Sequence, residues 1–431
     1  MQPYVFVIDT EKSPCNPVHP AEARKLMREG KAAVWRRFPF TIILKEQRPG
    51  AREEHLVKID PGSRATGIAV VRKIPGKEAL KVVWACEIWH RGQIIKKKMD
   101  SRRALRRGRR NRKTRYREPR FDNRTRPGDW LPPSLVSRIA NVETWVRRLT
   151  QRVPVSGVSV ERVRFDTQKL QNPEISGAEY QQGELLGYEV REYLLEKWGR
   201  QCAYCGARNV PLEIEHLVPK SRGGSNRVSN LTLSCRKCNL KKGNRTAEEF
   251  GFPELAKHAR KPLRDAAAVN ATRWEIWRRL KSLGIPLEAG TGGQTKYHRS
   301  IQGYPKKHWI DAACTGSSGE SVWLDPEMSY LKAEAKGHGV RQFCNPDKFG
   351  FPRTKPKARQ KHVFGFMSGD MAKAKVPKGK KQGTHLGRIV TRASGSFLVG
   401  KTDGVFWKYC RVISKADGYA YSLEKPHSSH H

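Results

Sequence analysis

Two pairs of cysteines constrain this chain more than any other feature of its sequence. Cys202 and Cys205 form one CxxC pair, and Cys235 and Cys238 form another. Four thiolates in two such pairs make up the ligand set of a tetrahedral zinc site. The other cysteines are scattered, so the pattern favours a metal site in a reducing compartment over disulfides. A zinc knuckle used only as a scaffold is the plainest alternative.

The stretch between the two pairs carries residues that a scaffold does not need. LEIEHLVPKSRGGSNRVSNLTLS predicts a strand, a loop and a second strand. Glu215 and His216 stand side by side at the end of the first strand, so one can face a metal while the other faces a substrate. Asn230 and Asn239 follow. A neutral imidazole can accept a proton from water near neutral pH, and hard Mg²⁺ prefers oxygen ligands.

The chain is also strongly basic. Lys and Arg number 85 against 41 Asp and Glu, a formal net charge of +44 over 431 residues. Such a surface repels itself unless a polyanion supplies counter-charge, so nucleic acid is the expected partner. A ribosomal-type structural protein is the alternative from composition alone. With no ~20-residue apolar run and no secretory signal, we expect a cytoplasmic protein without a membrane partner.

Positive charge is densest at residues 96–126, where sixteen Lys and Arg accompany three acids. Several of the arginines recur at helical spacing, and Pro119 is expected to end the helix. The segment cannot bury a face of its own. It is therefore interpreted as a helix that binds phosphates, and a disordered basic linker is the alternative.

The rest of the chain alternates strand and helix patterns. Residues 4–45 predict a small βαβ-like unit, and HLVKIDPGSRATGIAVVRK predicts two strands around a tight turn, with VVWACEIWH as a third. TGGQTKYHR is expected to be a Gly-rich loop before a helix at KKHWIDAACTG. Further patterns predict helices at 134–152, 178–199 and 247–283, a buried strand at VPVSGVSVERVRF, and β-rich stretches beyond about 316.

A second set of candidate residues is spread along the sequence. Asp60 ends an apolar strand before Pro-Gly, and Glu161 lies inside an apolar strand, where an unpaired charge is costly to bury. His308 and Asp311 are three residues apart, on one face of a short helix. Converging carboxylates can hold two Mg²⁺ ions ~3.5 to 4 Å apart for phosphodiester cleavage. Three unrelated turn or surface acids are the alternative.

From Cys202 to Asn244 the order CxxC, EH, P, GG, N, CxxCN and KGN resembles the HNH nuclease family. The resemblance implies a ββα-metal fold in which His216 is the general base and Asn230 orients it. It implies that Glu215 and Asn239 hold one Mg²⁺, while the four cysteines hold a structural Zn²⁺.

The stretch IDPGSRATGIAVV resembles the first motif of RuvC-like nucleases of the RNase H superfamily. Asp60, Glu161 and the pair His308 and Asp311 follow the order of the three separated RuvC motifs. The resemblance implies that Asp60 binds or bridges two Mg²⁺ ions and that Glu161 and Asp311 complete the ligand set. His308 would be a ligand or a proton acceptor.

A RuvC fold split by an HNH insertion, with an arginine-rich helix between its first two motifs, resembles the IscB family, transposon-encoded relatives of double-cutting CRISPR effectors. The Pro-Leu-Met-Pro of that family's N-terminal domain is here Pro14-Cys15-Asn16-Pro17. The resemblance covers residues 1 to about 315 and implies an α/β multidomain fold. The expected parts are an N-terminal α/β domain (1–50), RuvC part I (51–95), the bridge helix (96–126), RuvC part II (127–180), the HNH module (181–250), RuvC part III (251–316) and a β-rich C-terminal domain (317–431).

The resemblance implies an RNA-guided, Mg²⁺-dependent DNA endonuclease, monomeric in a ribonucleoprotein near the nucleoid of a prokaryotic cell. An omega-type guide RNA would pair with one strand of double-stranded DNA beside a flanking motif. The HNH site would cut the paired strand and the RuvC site the displaced strand. Bridge-helix arginines are expected to bind RNA phosphates: Arg102, Arg103, Arg106, Arg107, Arg109, Arg110, Arg112 and Arg115. A protein-only HNH endonuclease and a catalytically silent guide-RNA-binding protein remain alternatives.

Overall fold

A computed structural model describes residues 2–46, 52–110, 130–163, 186–208, 210–261, 266–337, 353 and 362–424. Helices and several sheets alternate along the chain, as expected for the α/β class. Two compact units are formed, one from residues 1–53, 83–154 and 327–431 and the other from 54–82 and 155–326. Over the described ranges, no helix has both the length and the apolar character needed to cross a membrane.

The strands are, in chain order, β1 Val5–Ile8, β2 Pro14–Val18, β3 Ala32–Arg36, β4 Thr41–Leu44, β5 His55–Asp60, β6 Ala65–Lys73, β7 Leu80–Trp89, β8 Val155–Val163, β9 Leu212–His216, β10 Leu231–Cys235, β11 Leu287–Thr291, β12 Val322–Trp323, β13 Tyr330–Ala335, β14 Met371–Val376, β15 Gly383–Val390, β16 Ser396–Val399, β17 Thr402–Phe406, β18 Cys410–Ser414 and β19 Tyr419–Glu424. The helices are α1 Pro20–Arg28, α2 Gly92–Arg110, α3 Pro133–Thr150, α4 Leu186–Lys197, α5 Arg236–Lys242, α6 Pro253–Arg260, α7 Ala266–Lys281, α8 Gly292–Ile301 and α9 His308–Ala313.

The first unit begins with a four-stranded sheet in the order β2-β1-β4-β3. Helix α1 packs Ala23 and Leu26 onto Val7 and Ile42 to form a small core. The stretch with two prolines, Pro14–Val18, is strand β2. Strand β2 lies at the edge of the sheet, where the N–H that proline lacks is not needed to pair with a further strand.

The same unit contains the arginine-rich helix, the paired strands β7, β13 and β19, and a five-stranded sheet. Helix α2 starts against α3, because a Cβ on Gly92 would lie 2.9 Å from the Ser134 carbonyl oxygen. Strand β13 runs parallel to β7 and antiparallel to β19. A five-stranded sheet in the order β17-β16-β15-β14-β18 encloses its own core around Phe397 and Ile389.

The second unit is built on a sheet with strands in the order β11-β8-β5-β6. Strands β5 and β6 form the predicted hairpin, and β5, β8 and β11 run parallel. Strand β12 pairs with the first residues of β7. The hairpin β9-β10 and helix α5 belong to this unit as well.

One secondary-structure prediction in this unit was wrong. The Gly-rich stretch TGGQTKYHR was expected to be a loop, but it forms helix α8. The Thr291 hydroxyl accepts a hydrogen bond from the backbone N–H of Gln294 at 3.2 Å and caps the helix. A strong N-cap and a buried face at Thr295 and His298 outweigh the low helix propensity of two glycines.

Candidate functional site

The four paired cysteines meet at one point. The sulfur atoms of these four residues all lie within 4.8 Å of one another: Cys202, Cys205, Cys235 and Cys238. Those of Cys205 and Cys235 are 3.8 Å apart. Tetrahedral zinc with bonds of about 2.3 Å separates its sulfurs by about 3.8 Å. The cluster therefore fits a metal ion such as zinc.

Backbone hydrogen bonds favour the thiolate form of one of these cysteines, Cys202. Burial raises the pKa of Cys202, but hydrogen bonds from the backbone at Cys205 and Cys235 outweigh it and bring this pKa down to about 7. A thiolate is the form that binds metal.

The hairpin and helix that follow the first knuckle present the polar candidates. In the β9-β10 register Leu231 pairs with His216 and Cys235 pairs with Leu212, so the second knuckle starts where the hairpin ends. Helix α5 then carries Asn239 and Lys242 back toward β9. The strand, loop and strand order predicted for this module is confirmed.

His216 lies at the loop end of the hairpin. Its Nε2 is 3.0 Å from Asn226 Oδ1. Asn230 does not act on the ring directly. Its carboxamide accepts from the Val218 N–H and donates to the Val218 carbonyl, both at 3.0 Å, which fixes the loop two residues beyond His216. Asn226, which was not predicted, is the ring's neighbour.

Glu215 is buried and fully engaged. Lys242 donates to its Oε1 at 2.6 Å, and Tyr204 donates to its Oε2 at 2.5 Å. Lys242 is fully buried and also donates to the His216 carbonyl at 2.9 Å. The lysine thus compensates the charge of the predicted metal ligand, and neither Lys242 nor Tyr204 was assigned a role from the sequence.

A second carboxylate in the module accompanies Asn239. The Asn239 Nδ2 donates to Glu213 Oε2 at 2.7 Å. Glu213 and Glu215 are two residues apart in β9 and share a face of the strand, the face that α5 covers. Between β9 and α5 the module therefore brings together two carboxylates and one amide, and oxygen donors of these kinds suit Mg²⁺.

The sheet of the second unit brings two of the scattered acids together. Strands β5 and β8 are parallel, and Ile59 pairs with Val160. Asp60 and Glu161 follow directly, so both carboxylates lie at the carboxyl ends of neighbouring strands. Glu161 is 4% exposed, which requires a compensating charge.

A glycine places the third element next to them. Asp60 pairs with Gly67 across the β5-β6 hairpin. A Cβ on Gly67 would lie 1.8 Å from the carbonyl oxygen of His308, so the backbone of α9 rests directly on β6. The absence of a side chain at Gly67, in the RATG sequence after Asp60, thus lets α9 begin at His308 directly against β6.

A buried arginine lies between the two carboxylates. The Nη2 of Arg273 is 2.6 Å from Glu161 Oε1 and 3.5 Å from Asp60 Oδ1, and it donates to the Pro61 carbonyl at 3.0 Å. The Arg273 side chain is 2% exposed. This position therefore demands positive charge, and the oxygens around it suit Mg²⁺.

Asp311 in α9 is paired with an arginine of its own. The Nε of Arg299 in α8 is 2.7 Å from Asp311 Oδ1. Burial raises the pKa of Asp311, and the Glu161 carboxylate raises it further, while Arg299 lowers it. The influence of Glu161 indicates that the acids from β8 and α9 share one electrostatic environment.

A layer of buried polar groups lies one pleat below this cluster. Lys58, Ser159 and Glu288 stand two residues before Asp60, Glu161 and Gly290 on their strands. Lys58 donates to the Thr315 carbonyl at 2.5 Å, and Glu288 accepts from Ser317 Oγ at 2.6 Å. These bonds tie the segment after α9 to the sheet.

The arginine-rich helix α2 belongs to the other unit. Arg102, Arg103, Arg106 and Arg107 are all exposed. Arg109 and Arg110 end the helix. Arg112 and Arg115 lie outside the described residues.

Comparisons with protein families identify two regions. Residues 5–183 match the family described as RRXRR protein, and residues 202–245 match the family described as HNH endonuclease. These matches confirm the resemblance to IscB-type nucleases, and the HNH match indicates nuclease activity. No curated protein sequence matches significantly.

Three solved structures share limited similarity with the chain. They are the Type II-C Cas9 enzyme from Actinomyces naeslundii (13% identity, 61% of this chain and 59% of that chain) and Streptococcus thermophilus Cas9 in complexes with the AGAA PAM (11%) and the GGAA PAM (12%). The two latter alignments cover 60% of this chain and 32% of theirs. Each TM-score is 0.23, which is too low to establish a shared fold.

Proposed function

We propose that this IscB-like nuclease, with its RRXRR region and its HNH endonuclease domain, is an RNA-guided enzyme that cuts both strands of DNA. One observation carries the proposal. A single strongly basic chain holds two separate sites at which buried carboxylates are paired with a buried cation. The first is the cysteine module, and the second, which we name the acidic site, consists of Asp60, Glu161, His308 and Asp311.

In the cysteine module His216 takes the proton from the attacking water. Because Asn226 Oδ1 can only accept, its contact of 3.0 Å fixes the hydrogen on Nε2 and leaves the Nδ1 lone pair free. Asn230 keeps this geometry through Val218. Glu215 and Asn239 would hold Mg²⁺, which supplies charge stabilisation at the scissile phosphate when bound. Zn²⁺ on the four cysteines would hold the module together.

At the acidic site Asp60, Glu161 and Asp311 would hold the metal, as in RuvC-type nucleases. Arg273 and Arg299 orient these carboxylates, and His308 would act as ligand or proton acceptor at the start of α9. The division of labour follows the family resemblance: the cysteine module cuts the strand paired with the guide, and the acidic site cuts the displaced strand.

The partners follow from charge. Exposed arginines on α2, namely Arg102, Arg103, Arg106 and Arg107, would bind guide-RNA phosphates, since guanidinium matches phosphate geometry. Residues 317–431 would bind the DNA beside the target or the guide RNA itself.

The test is RNA dependence. The protein is purified from cells that co-express the DNA flanking its gene, the bound RNA is sequenced, and cleavage of a matching duplex in Mg²⁺ is measured with and without that RNA. Guide-dependent cutting that disappears in the Asp60→Ala/His216→Ala double variant supports the proposal. Cutting without RNA indicates a protein-only HNH endonuclease, and RNA binding with an intact duplex indicates a silent RNA-binding protein.

A further inference from the structure

Four aromatic side chains form a continuous row beside the five-stranded sheet. Phe364 stacks on Trp407 with ring centroids 4.6 Å apart and planes 4° from parallel. Phe406 lies 6.1 Å from Trp407 and 6.2 Å from Tyr409. Phe364, Phe406 and Tyr409 are 49%, 43% and 41% exposed. We call these four residues the aromatic row.

The backbone at the aromatic row adopts a conformation that is unfavourable for most residues. Phe364 has φ of +50°, a conformation that bulky residues rarely adopt outside sites where surrounding structure enforces it. Gly395 has no side chain there, because a Cβ would lie 2.7 Å from Trp407 Cδ1 and 3.1 Å from Phe364 Cε2. Phe364 and Gly365 form the tight turn between Val363 and Phe366, whose side chains lie in the core, and this turn holds the Phe364 ring exposed on the surface.

Positive charge surrounds the row. Residues 362–424 hold eleven Lys and Arg against four Asp and Glu. Every one of the four acids is in an ion pair: Asp370 with Lys415, Asp403 with Arg392, Asp417 with Arg148, and Glu424 with Lys332. Exposed Lys408 lies 6.0 Å from the Phe406 ring, and Lys381 donates to the Gly404 carbonyl nearby. The excess charge is therefore free to attract an anion.

We propose that the aromatic row stacks an unpaired base of the guide RNA, with Lys408 and Lys381 on the adjacent phosphates. Flat rings flanked by cations suit a base joined to phosphates, whereas a protein partner would gain little from the uncompensated lysines. A structured RNA offers unpaired bases in its loops, whereas duplex DNA keeps its bases stacked inside. The inference rests on the proposed function and assigns its RNA partner a contact in the C-terminal region.

The test uses the full chain and three fluorescein-labelled probes of one 12-nucleotide sequence: single-stranded RNA, single-stranded DNA and an RNA duplex. Binding is measured by anisotropy for Phe364→Leu and Phe364→Trp. Leucine keeps an apolar side chain without a ring, and tryptophan keeps a flat ring. The matched control is Trp323→Ala, which removes another exposed tryptophan, 45% exposed, with Lys81 over its ring at 4.7 Å.

Phe364→Leu is expected to bind the single-stranded RNA about 5- to 100-fold more weakly, the range for losing one stacked base. Phe364→Trp and Trp323→Ala should bind it like the unmodified protein, and affinity for the RNA duplex should not change. Equal RNA affinity of the leucine and tryptophan variants overturns the proposal. A loss confined to single-stranded DNA also overturns it, and assigns the row to the displaced strand.

Crosslinking separates this inference from the function on which it rests. The same RNA with 5-iodouridine is irradiated with the protein, and the crosslinked peptides are identified by mass spectrometry. Crosslinks at Phe364, Phe406 or Tyr409 support the aromatic row even if no guided cleavage is found. Guided cleavage without crosslinks in residues 362–410 leaves the nuclease proposal standing and removes this one.

Discussion

The cysteine module and the acidic site compensate their carboxylates in the same way but are assembled differently. In the module Glu215 and its cation Lys242 come from one short hairpin and helix, joined by two cysteine pairs. In the acidic site Asp60, Glu161 and their cation Arg273 come from separate strands and a later helix. The first arrangement joins its few residues through a cysteine cluster that fits a metal ion, and the second depends on a sheet.

The largest expected effect concerns that dependence. Cys202→Ser removes one ligand from a cluster whose metal is worth about 10–16 kcal/mol in zinc-finger peptides, so the module should unfold locally. Zinc content should fall, and amide exchange should accelerate in β9 and β10 while β5, β6 and β8 stay protected. Cys15→Ser, in the N-terminal sheet, is the control. Full protection of β9 in zinc-free Cys202→Ser protein would contradict the claim that the cysteine cluster holds this module in place.

Strand-resolved cleavage tests whether the two sites act separately. His216→Ala removes the proposed general base of the module and should slow cutting of the guide-paired strand by about 10²- to 10⁴-fold. Asp60→Ala should instead stop cutting of the displaced strand. A duplex labelled differently on each strand reports both rates at once. Double-strand cutting at an unchanged rate in either variant would refute the assignment of that site.

The buried cations can be compared directly. Lys242→Gln and Arg273→Gln each leave carboxylate charge buried without its partner, which costs about 3–5 kcal/mol. Urea unfolding without Mg²⁺ should show this loss, and Mg²⁺ should recover part of it. Arg278→Gln is the control, since its side chain is 65% exposed and pairs with Glu275 at the surface. If Mg²⁺ recovers nothing in either variant, the neighbouring acids do not bind it.

The smallest effect concerns the polar layer below the acidic site. Burial raises the pKa of Glu288, but hydrogen bonds from Ser159, Ser317 and Ser318 outweigh this effect and lower the pKa to about 2. The carboxylate therefore stabilises the fold above an unfolded pKa of about 4.5, and this stability is lost as the pH falls toward 2. Between pH 5 and pH 2 the free energy of unfolding of Glu288→Gln should therefore fall by about 1–2 kcal/mol less than that of the unmodified protein, once the shift is discounted for solvent screening. Urea unfolding at both pH values measures the difference, and parallel losses would remove Glu288 from this role.

The sequence could predict much of the cysteine module because its signals are local. CxxC spacing, the adjacent Glu215 and His216, and the apolar runs around them already imply knuckles and a hairpin. Lys242, Tyr204 and Asn226 could not be assigned, because they reach Glu215 and His216 from a helix, the first knuckle and the loop only once the module has folded. Asn230 acts through the backbone at Val218, a contact that no spacing reveals.

The acidic site was predictable in its acids but not in its cations. Asp60 stands out as a charge at the end of an apolar strand, and Glu161 as a charge inside one. Arg273 did carry a signal: it shares a helical face with Ile276 and Leu280, which are 3% and 1% exposed, so an arginine at that position must be buried. Which acids it meets depends on strand pairing over more than a hundred residues of sequence.

The order of these parts along the chain has a consequence during synthesis. All the described residues of the cysteine module are present once residue 246 has left the ribosome, but the acidic site lacks Asp311 until 65 residues later. At about 5–20 residues per second this is an interval of about 3–13 seconds. Arg273 follows 27 residues after residue 246 and can then pair with Asp60 and Glu161, so both carboxylates have a counter-charge while the chain still waits for its last strand and helix.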